Sequence, residues 1–576
     1  MKLASNQRVA LGLAAAVAAA LVVRGLLFSL RGEYLDWDEA MYLLLARSIV
    51  EGGGPTLNGL PHTALGPFVP LASAALARLF GLEVLVAQRV VTILSGALVI
   101  VPIWYLLRQK ASERVSWTAI ALLVAWPALI DVTPRLGPIW LHMYAGTEPT
   151  YLFFLFLALA CGEAALRRRG WSTLALAWVA GSSMACAYLT RAEVVVFAGL
   201  YVIARAVGWV RARGDMPGLS VPALAALAFF VTAAPHLHYL HEVSGSWILS
   251  GQPPVMRPMA ETLQESFRDD RYLGNFMQAW WRLDTNHDYF LNPYWGTPEG
   301  VSLEEQKQQF AQVAAATTPV DRGWWGRVWS RATNYGYMLW TLCGPYFLVF
   351  VLVGIVARRK EWLPVFGLAG LAASLIVGFY LAVLPRFSLY LIPAFALWAA
   401  HGIEAVSERL GGYKDRARYA ITGALLAVCL FTVARATTGD LAQALAAVAE
   451  DDRRAGEQLS TALPDDARVS HWHPRIAYWA GWEWRPLPLE TLDGITHYSA
   501  NRDVKYVLLS SGGYTPLRAE VPYILLILDD ALLEALRLVR SDQSGRHEHP
   551  DVLLTEVDPI AGYATGVLSL DVGEAE

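Results

Sequence analysis

Cysteine is almost missing from this chain of 576 residues. There are four, Cys161, Cys186, Cys343 and Cys429, and each falls inside an apolar run. Each therefore reads as a small buried hydrophobe, and nothing in their placement calls for a disulfide framework or a thiolate metal site. Charge is scarce as well. Asp, Glu, Lys and Arg make up 17% of the residues and the formal net charge is −4, so there is no basic surplus to attract nucleic acid. The chain also lacks a phosphate-binding glycine loop, the HExxH zinc spacing, a GxSxG nucleophile elbow and any internal repeat of about 20–50 residues. Those absences set aside the common soluble-enzyme chemistries and the solenoid architectures.

What the chain has instead is hydrocarbon. Hydrophobic residues make up 55% of it, the mean hydropathy is +0.36, and apolar runs near the length of a bilayer span recur along it. Lys and Arg cluster at Lys2/Arg8, Arg108/Lys110/Arg114, Arg167–Arg169, Arg205/Arg211/Arg213, Arg358–Lys360 and Arg409/Lys414/Arg416/Arg418. Placing every cluster on the cytoplasmic side orders the runs without conflict. The expected spans are 9–30, 83–107, 115–131, 148–166, 171–189, 193–210, 218–239, 335–357, 361–384, 387–406 and 417–436. The chain is thus expected to be a polytopic α-helical membrane protein of about eleven transmembrane helices, with a cytoplasmic N-terminus and an external C-terminus. The first run, with Lys2 and Arg8 before it, resembles a signal peptide but is longer than a typical h-region, and is expected to stay as an uncleaved span. Arg24, near its outer end, is expected to snorkel to the interface.

Two domains follow: residues 1–438 in the membrane, with a first outer loop at 31–82 and a long outer loop at 240–334, and a soluble external α/β domain at 439–576. In the first loop, the residues after Asp36, Asp38 and Glu39 read as a short helix, stopped by Gly52-Gly53-Gly54-Pro55, with Ala40, Leu43, Leu44, Ala46 and Val50 mostly on one side, expected to lie in the interface. A second interfacial helix is expected within 63–81. The long loop carries Trp280-Trp281 and Trp324-Trp325, read as interfacial anchors or, alternatively, sugar-stacking surfaces, with helical patterns near 259–283 and 302–315. His471 and His473 look like a metal pair but read as a solvated strand face.

The polar residues gather on the outer side. Asp36, Asp38 and Glu39 stand directly after the first span; Arg135, Glu148, Arg191 and Arg386 fall at later outer boundaries. Asp36 followed by Glu39 also fits a capping box, in which the acids merely start the helix. The functional reading is a carboxylate base beside arginines whose fixed charge and forked geometry suit a lipid phosphate. A divalent ion at such a carboxylate cluster stays open.

Taken in order, DWDEAMYLLLARSIVEGG (36–53), GPFVPLASAALARLFG (66–81), GTEPTYLFFLFLALA (146–160), AYLTRAE (187–193) and PRFSLYLIPAFALWAAHGIE (385–404) make the chain resemble the GT-C class of integral membrane glycosyltransferases. The resemblance is to the branch holding protein O-mannosyltransferases and lipid A aminoarabinose transferases. It implies a polyprenyl-phosphate-sugar donor and an acceptor hydroxyl on the outer face, borne by a glycan, a lipid or a protein. It further implies Asp38 as the catalytic acid of the first loop and outer-face polar positions at Glu148, Arg191 and Arg386. The candidate site is then Asp38 and Glu39 for the base, Tyr42, His62 and Glu148 for donor or acceptor binding, and Arg135, Arg191 and Arg386 for the phosphate. One departure stands out: many members carry a PPL motif where this chain reads Ala64-Leu65-Gly66-Pro67. A transporter or flippase of lipid-linked sugar and a hydrolase of the same donor are the competing expectations. The alanine- and arginine-rich composition and the missing ER retention signal point to a bacterial inner membrane.

Overall fold

A computed structural model describes residues 5–31, 35, 37–57, 59–126, 147–196, 199–200, 203, 217–251, 281–284, 289–292, 295, 301–316, 323–358, 385–438, 449–450, 452–457, 460–461, 468–471, 474–488, 498, 501–502, 504, 506–511, 552–556 and 564–570. The helices are α1 (Ser5–Arg31), α2 (Trp37–Glu51), α3 (Phe68–Phe80), α4 (Val84–Leu98), α5 (Ile100–Arg108), α6 (Glu113–Val124), α7 (Glu148–Ala165), α8 (Trp171–Thr190) and α9 (Pro217–Ser244). They continue with α10 (Leu303–Ala316), α11 (Gly323–Cys343), α12 (Pro345–Ala357), α13 (Ile392–Glu408), α14 (Lys414–Thr438) and α15 (Pro474–Ala480).

Among the described residues, six helical stretches are long and apolar enough to cross a membrane: Asn6–Leu26, Val84–Arg108, Glu148–Ala165, Trp171–Thr190, Ser220–Ser244 and Ser388–Glu408. Each coincides with an expected span. The expected span 361–384 lies outside the described residues, and 193–210 is described only in part. The span expected at 335–357 is not one helix. Gly344 sits at φ 71° and Pro345 opens α12, so the ladder breaks there and the run divides between α11 and α12.

Small residues set how closely the helices approach. A Cβ on Gly354 would collide with the Trp398 carbonyl, and one on Gly402 with the Phe350 carbonyl, so α12 and α13 touch backbone to backbone. Gly181 does the same for α8 against Ala225 of α9. Trp126 closes the membrane core: its ring stacks on Phe347 at 4.0 Å and its indole N–H donates to the Leu342 carbonyl at 2.7 Å. Leu11, Val22, Leu94, Phe230, Val349 and Phe431 point outward instead, the pattern of lipid-facing surface.

A second core forms where the loops meet the C-terminal segment. Strands β1 (Thr56–Leu57) and β2 (Leu60–Pro61) make a hairpin in the first loop. Strands β3 (Val469–His471), β4 (Trp484–Pro486), β5 (Tyr506–Ser511), β6 (Val552–Glu556) and β7 (Ala564–Leu570) form a mixed sheet of order β4-β3-β5-β7-β6. Its first three strands are parallel and its last pairings antiparallel.

This core corrects several expectations. Helix α2 does not lie on the interface with one apolar face: Ala40, Met41, Tyr42, Leu43, Leu44, Leu45 and Ala46 are all buried, some of them against Trp295, Tyr478 and Trp484. The reason is compositional, since a helix apolar all round is stable only when covered all round. Trp281 is neither an anchor nor a stacking surface. It is buried and stacks on Trp295 at 4.3 Å. His471 lies on an interior strand and is buried, not solvated, while His473 lies outside the described residues. The helix expected within 63–81 is α3, whose Leu71, Leu79 and Phe80 are exposed, and the pattern at 302–315 is α10.

Candidate active site

Three helix ends converge. Helices α7 and α8 follow one another across a short turn, so the start of α7 meets the end of α8. Glu148 is the first residue of α7 and Arg191 the first after α8. Each charge therefore stands at the helix end whose dipole favours it, the carboxylate at an N-terminus and the guanidinium at a C-terminus. The two side chains pair: Arg191 Nη1 lies 2.6 Å from Glu148 Oε1, and Arg191 Nε lies 2.5 Å from Glu193 Oε1. Arg191 Nη1 also reaches Thr147 Oγ1 at 3.5 Å, and its guanidinium stands 5.8 Å from the Tyr151 ring centroid.

Helix α2 supplies the third end. Gly66 makes this possible, because its backbone rests on the carbonyls of Leu189 and Thr190 just before Arg191, where a Cβ would clash. Gly66 belongs to the segment that departs from the PPL pattern. Asp38 and Glu39 stand in the first turn of α2. Asp38 is half-buried and Glu39 only 1% exposed, so of the two carboxylates Asp38 is the one a substrate can reach. Tyr42, one turn on, hydrogen-bonds Thr147 and interacts electrostatically with Asp38, Arg191 and Glu148. Burial, with Asp38 adding to it, raises the Tyr42 phenol far above its ordinary value and keeps it a neutral donor. For Arg191, burial alone would lower the guanidinium, but Glu193 and Glu148 outweigh it and the value rises.

Of the residues named from sequence, Asp38, Glu39, Tyr42, Glu148 and Arg191 thus come together. His62 has a different surrounding. It is buried; its Nε2 accepts from the Leu65 N–H at 2.9 Å and its carbonyl accepts from the Tyr239 hydroxyl at 3.1 Å. Burial lowers it to about 3, so it is a neutral brace for the first-loop turn. Arg386 lies in a 3-10 turn, Pro385–Leu391, that packs against α7 and also carries buried Tyr390. Arg135 and Asp36, and with Asp36 the expected capping box, lie outside the described residues.

Sequence reasoning passed over Thr147, Tyr151, Glu193 and Tyr390. It also misread Arg24, which is buried where the first span crosses α4, close to Gly96 and near Pro149 at the start of α7, and does not snorkel. Among the described residues no three His, Cys, Asp or Glu side chains gather as a metal-binding group, and Glu148 and Glu193 each give an oxygen to Arg191.

No protein-family model matches the chain, and no curated protein sequence matches it. Solved structures do. The lipid A aminoarabinose transferase ArnT from Cupriavidus metallidurans bound to undecaprenyl phosphate is 13% identical with a TM-score of 0.53, over 100% of both chains. Its apo state gives the same identity and score over 98% of both. The archaeal oligosaccharyltransferase AglB from Archaeoglobus fulgidus, in complex with an inhibitory peptide and a dolichol-phosphate, is 14% identical with a TM-score of 0.52, over 91% of this chain and 71% of that one. Likeness at this level of identity is likeness of fold, and the fold of this chain is that of the GT-C membrane glycosyltransferases.

Proposed function

We propose that the protein transfers a sugar from a polyprenyl-phosphate-linked donor to an acceptor hydroxyl on the extracytoplasmic face of a bacterial inner membrane. The observation that carries this reading is the convergence of Asp38, Tyr42, Glu148 and Arg191 at one cluster of helix ends. In the reaction the acceptor oxygen attacks the anomeric carbon, the bond from that carbon to the phosphate oxygen breaks, and the acceptor proton passes to Asp38. Asp38 suits the base role because it is accessible and stands beside Tyr42, which remains protonated and donates. Glu39, buried beneath it, holds the helix start.

Arg191 takes a role different from the one first expected. Its contacts with Glu148 and Glu193 make it the group that orients both carboxylates. The charge left on the departing lipid phosphate is then met chiefly by Arg386 and Arg135.

The test uses the purified protein in lipid vesicles with radiolabelled polyprenyl-phosphate sugars, with and without envelope glycans, lipids or proteins as acceptors. Label moves to an acceptor if the reading holds. Label released into water marks a hydrolase, and label that crosses uncleaved marks a transporter. Asp38→Asn should lower transfer by about two orders of magnitude, the usual scale for losing a general base, while the protein still inserts and binds donor. Near-normal transfer by correctly inserted Asp38→Asn protein would move the base to Glu148.

A further inference from the structure

The first-loop hairpin, the long loop and the C-terminal sheet meet at a second place, which shares no residue with the Asp38 cluster. A small cleft of about 10 Å³, room for about one water, has a buried floor of Phe290, Trp295, Arg485 and Tyr498. Its rim is Leu60, Tyr289 and Arg502, each half-buried. Among the described residues, two guanidiniums line it and no carboxylate does.

Arg485, on β4, is 7% exposed. Its Nη2 donates to Glu483 Oε2 at 2.9 Å, and the same oxygen faces Arg468 at 3.8 Å. Glu483 is 39% exposed, so one partly solvated carboxylate is shared between two cations. The Nε–H of Arg485 is buried and makes no hydrogen bond. Buried donors are nearly always bonded, and a buried cation with an idle donor is a costly arrangement. Burial pulls the Arg485 guanidinium below its ordinary value, with Glu483 opposing.

We propose that this cleft is an anion subsite, which takes a carboxylate or phosphate group carried on the acceptor saccharide, with Arg485 Nε as its deepest donor and Arg502 at its mouth. The cavity itself, at about 10 Å³, admits no more than one oxygen atom of such a group, so that oxygen seats against Arg485 and the rest of the group and its sugar lie outside, at the rim. The half-buried Tyr289 ring at the rim offers the flat amphipathic face on which the attached sugar rests. The inference rests on the transfer reading for the word acceptor, but not for the binding itself.

Calorimetric titration of the full-length protein in detergent tests it, with glucuronate, glucose 6-phosphate, inorganic phosphate and glucose as probes. Glucuronate or glucose 6-phosphate should bind saturably where glucose does not, and the pair tells carboxylate from phosphate. Arg485→Gln should weaken that binding about tenfold or more, the scale of a lost charge-assisted bond. Arg502→Gln, at the solvated rim, should weaken it in the same direction and serves if the buried variant fails to fold. No saturable binding of either anionic sugar, or binding that both folded variants leave unchanged, overturns the proposal, and inorganic phosphate matching the sugar phosphate removes its saccharide half. Asp38→Asn protein should bind the probes as wild type does. Normal turnover of donor without anion binding therefore defeats the cleft alone, and anion binding without turnover defeats the transfer reading alone.

Discussion

Replacing Arg191 with leucine removes the counter-charge of two carboxylates at once. The side chains involved are almost wholly out of solvent, at 11% exposure for Arg191, 6% for Glu148 and 10% for Glu193. Breaking a buried pair by deleting one partner costs about 3–5 kcal/mol. Two pairs are broken here, but one guanidinium serves both and their costs do not add. A loss of about 3–5 kcal/mol is a large share of the roughly 5–15 kcal/mol that holds a folded protein together. It should appear as a fall of about 2–4 °C in the unfolding midpoint, at roughly 0.8 °C per kcal/mol for a chain of this length, read by tryptophan fluorescence in detergent. Neutralising the carboxylates as well, in Arg191→Leu/Glu148→Gln/Glu193→Gln, should recover most of the loss, because the charges left uncompensated are gone. Arg191→Lys should fall between, keeping the charge but losing the fork that reaches both partners. The exposed pair Arg114–Asp415, 3.5 Å apart with side chains 63% and 52% exposed, supplies the control. Arg114→Ala should cost no more than about 1 kcal/mol. An Arg191→Leu midpoint equal to wild type, or a triple variant no better than the single, would refute the account of this cluster.

His62 carries a pH dependence of known sign. Burial depresses it to about 3 from an ordinary 6.5, so as pH falls the unfolded chain takes the proton first, and the stability present above about 6.5 drains away toward 3. The drop in unfolding midpoint between pH 7.5 and pH 5 should therefore be smaller in His62→Asn than in wild type, and an equal drop would contradict the neutral brace. Sidedness is testable at exposed Ser246 and Tyr413: Ser246→Cys should react with an impermeant thiol reagent in intact cells, and Tyr413→Cys only after permeabilisation. Outside labelling at position 413 would reverse the topology and put Asp38 on the cytoplasmic face.

How far the sequence could be read depended on what kind of signal each feature left. Glu148 and Arg191 were legible because helix ends and basic-cluster sidedness are both written locally, and two antiparallel helices across a short turn must bring such ends together. Thr147, Tyr151 and Glu193 lie inside the stretches GTEPTY and AYLTRAE without standing out in them, and Glu193 owes its place to an extended backbone at Arg191 that no periodicity records. The error over α2 is more instructive. Its apolar positions at helical spacing were taken for one face, yet Met41 and Leu45 lie off that face within an unbroken apolar run from Ala40 to Ala46. Such a run asks for cover on every side. What covers it comes from residues more than two hundred positions away, Trp281, Trp295, Tyr478 and Trp484, and no local pattern names them. Arg24 was misread likewise, because snorkelling is the default for an arginine near a span's end and only the packing of α4 and α7 shows it enclosed.

The cluster around Asp38 is held from two sides by different means. Glu148 and Arg191 are fixed by α7 and α8, helices of the membrane core whose termini cannot part without unpacking the bundle. Asp38 rides on α2, which is held by the second core, and there the C-terminal segment is a direct participant. Arg47 of α2 donates to the Tyr478 carbonyl and lies 4.5 Å over its ring, while the Tyr478 hydroxyl reaches Glu83 at 3.3 Å. Arg475, paired with Asp452 at 2.8 Å, also donates to the carbonyl of Leu35, three residues before Asp38. The C-terminal sheet and helix are therefore not an appendage to the bundle but part of what sets the height of Asp38 over the Glu148–Arg191 pair. The cleft at Arg485 is built from that same packed body, since Phe290, Trp295 and Tyr498 belong to one hydrophobic cluster with Tyr42. An anion seated at Arg485 and a donor at Asp38 would thus both bear on the one packed cluster that holds α2.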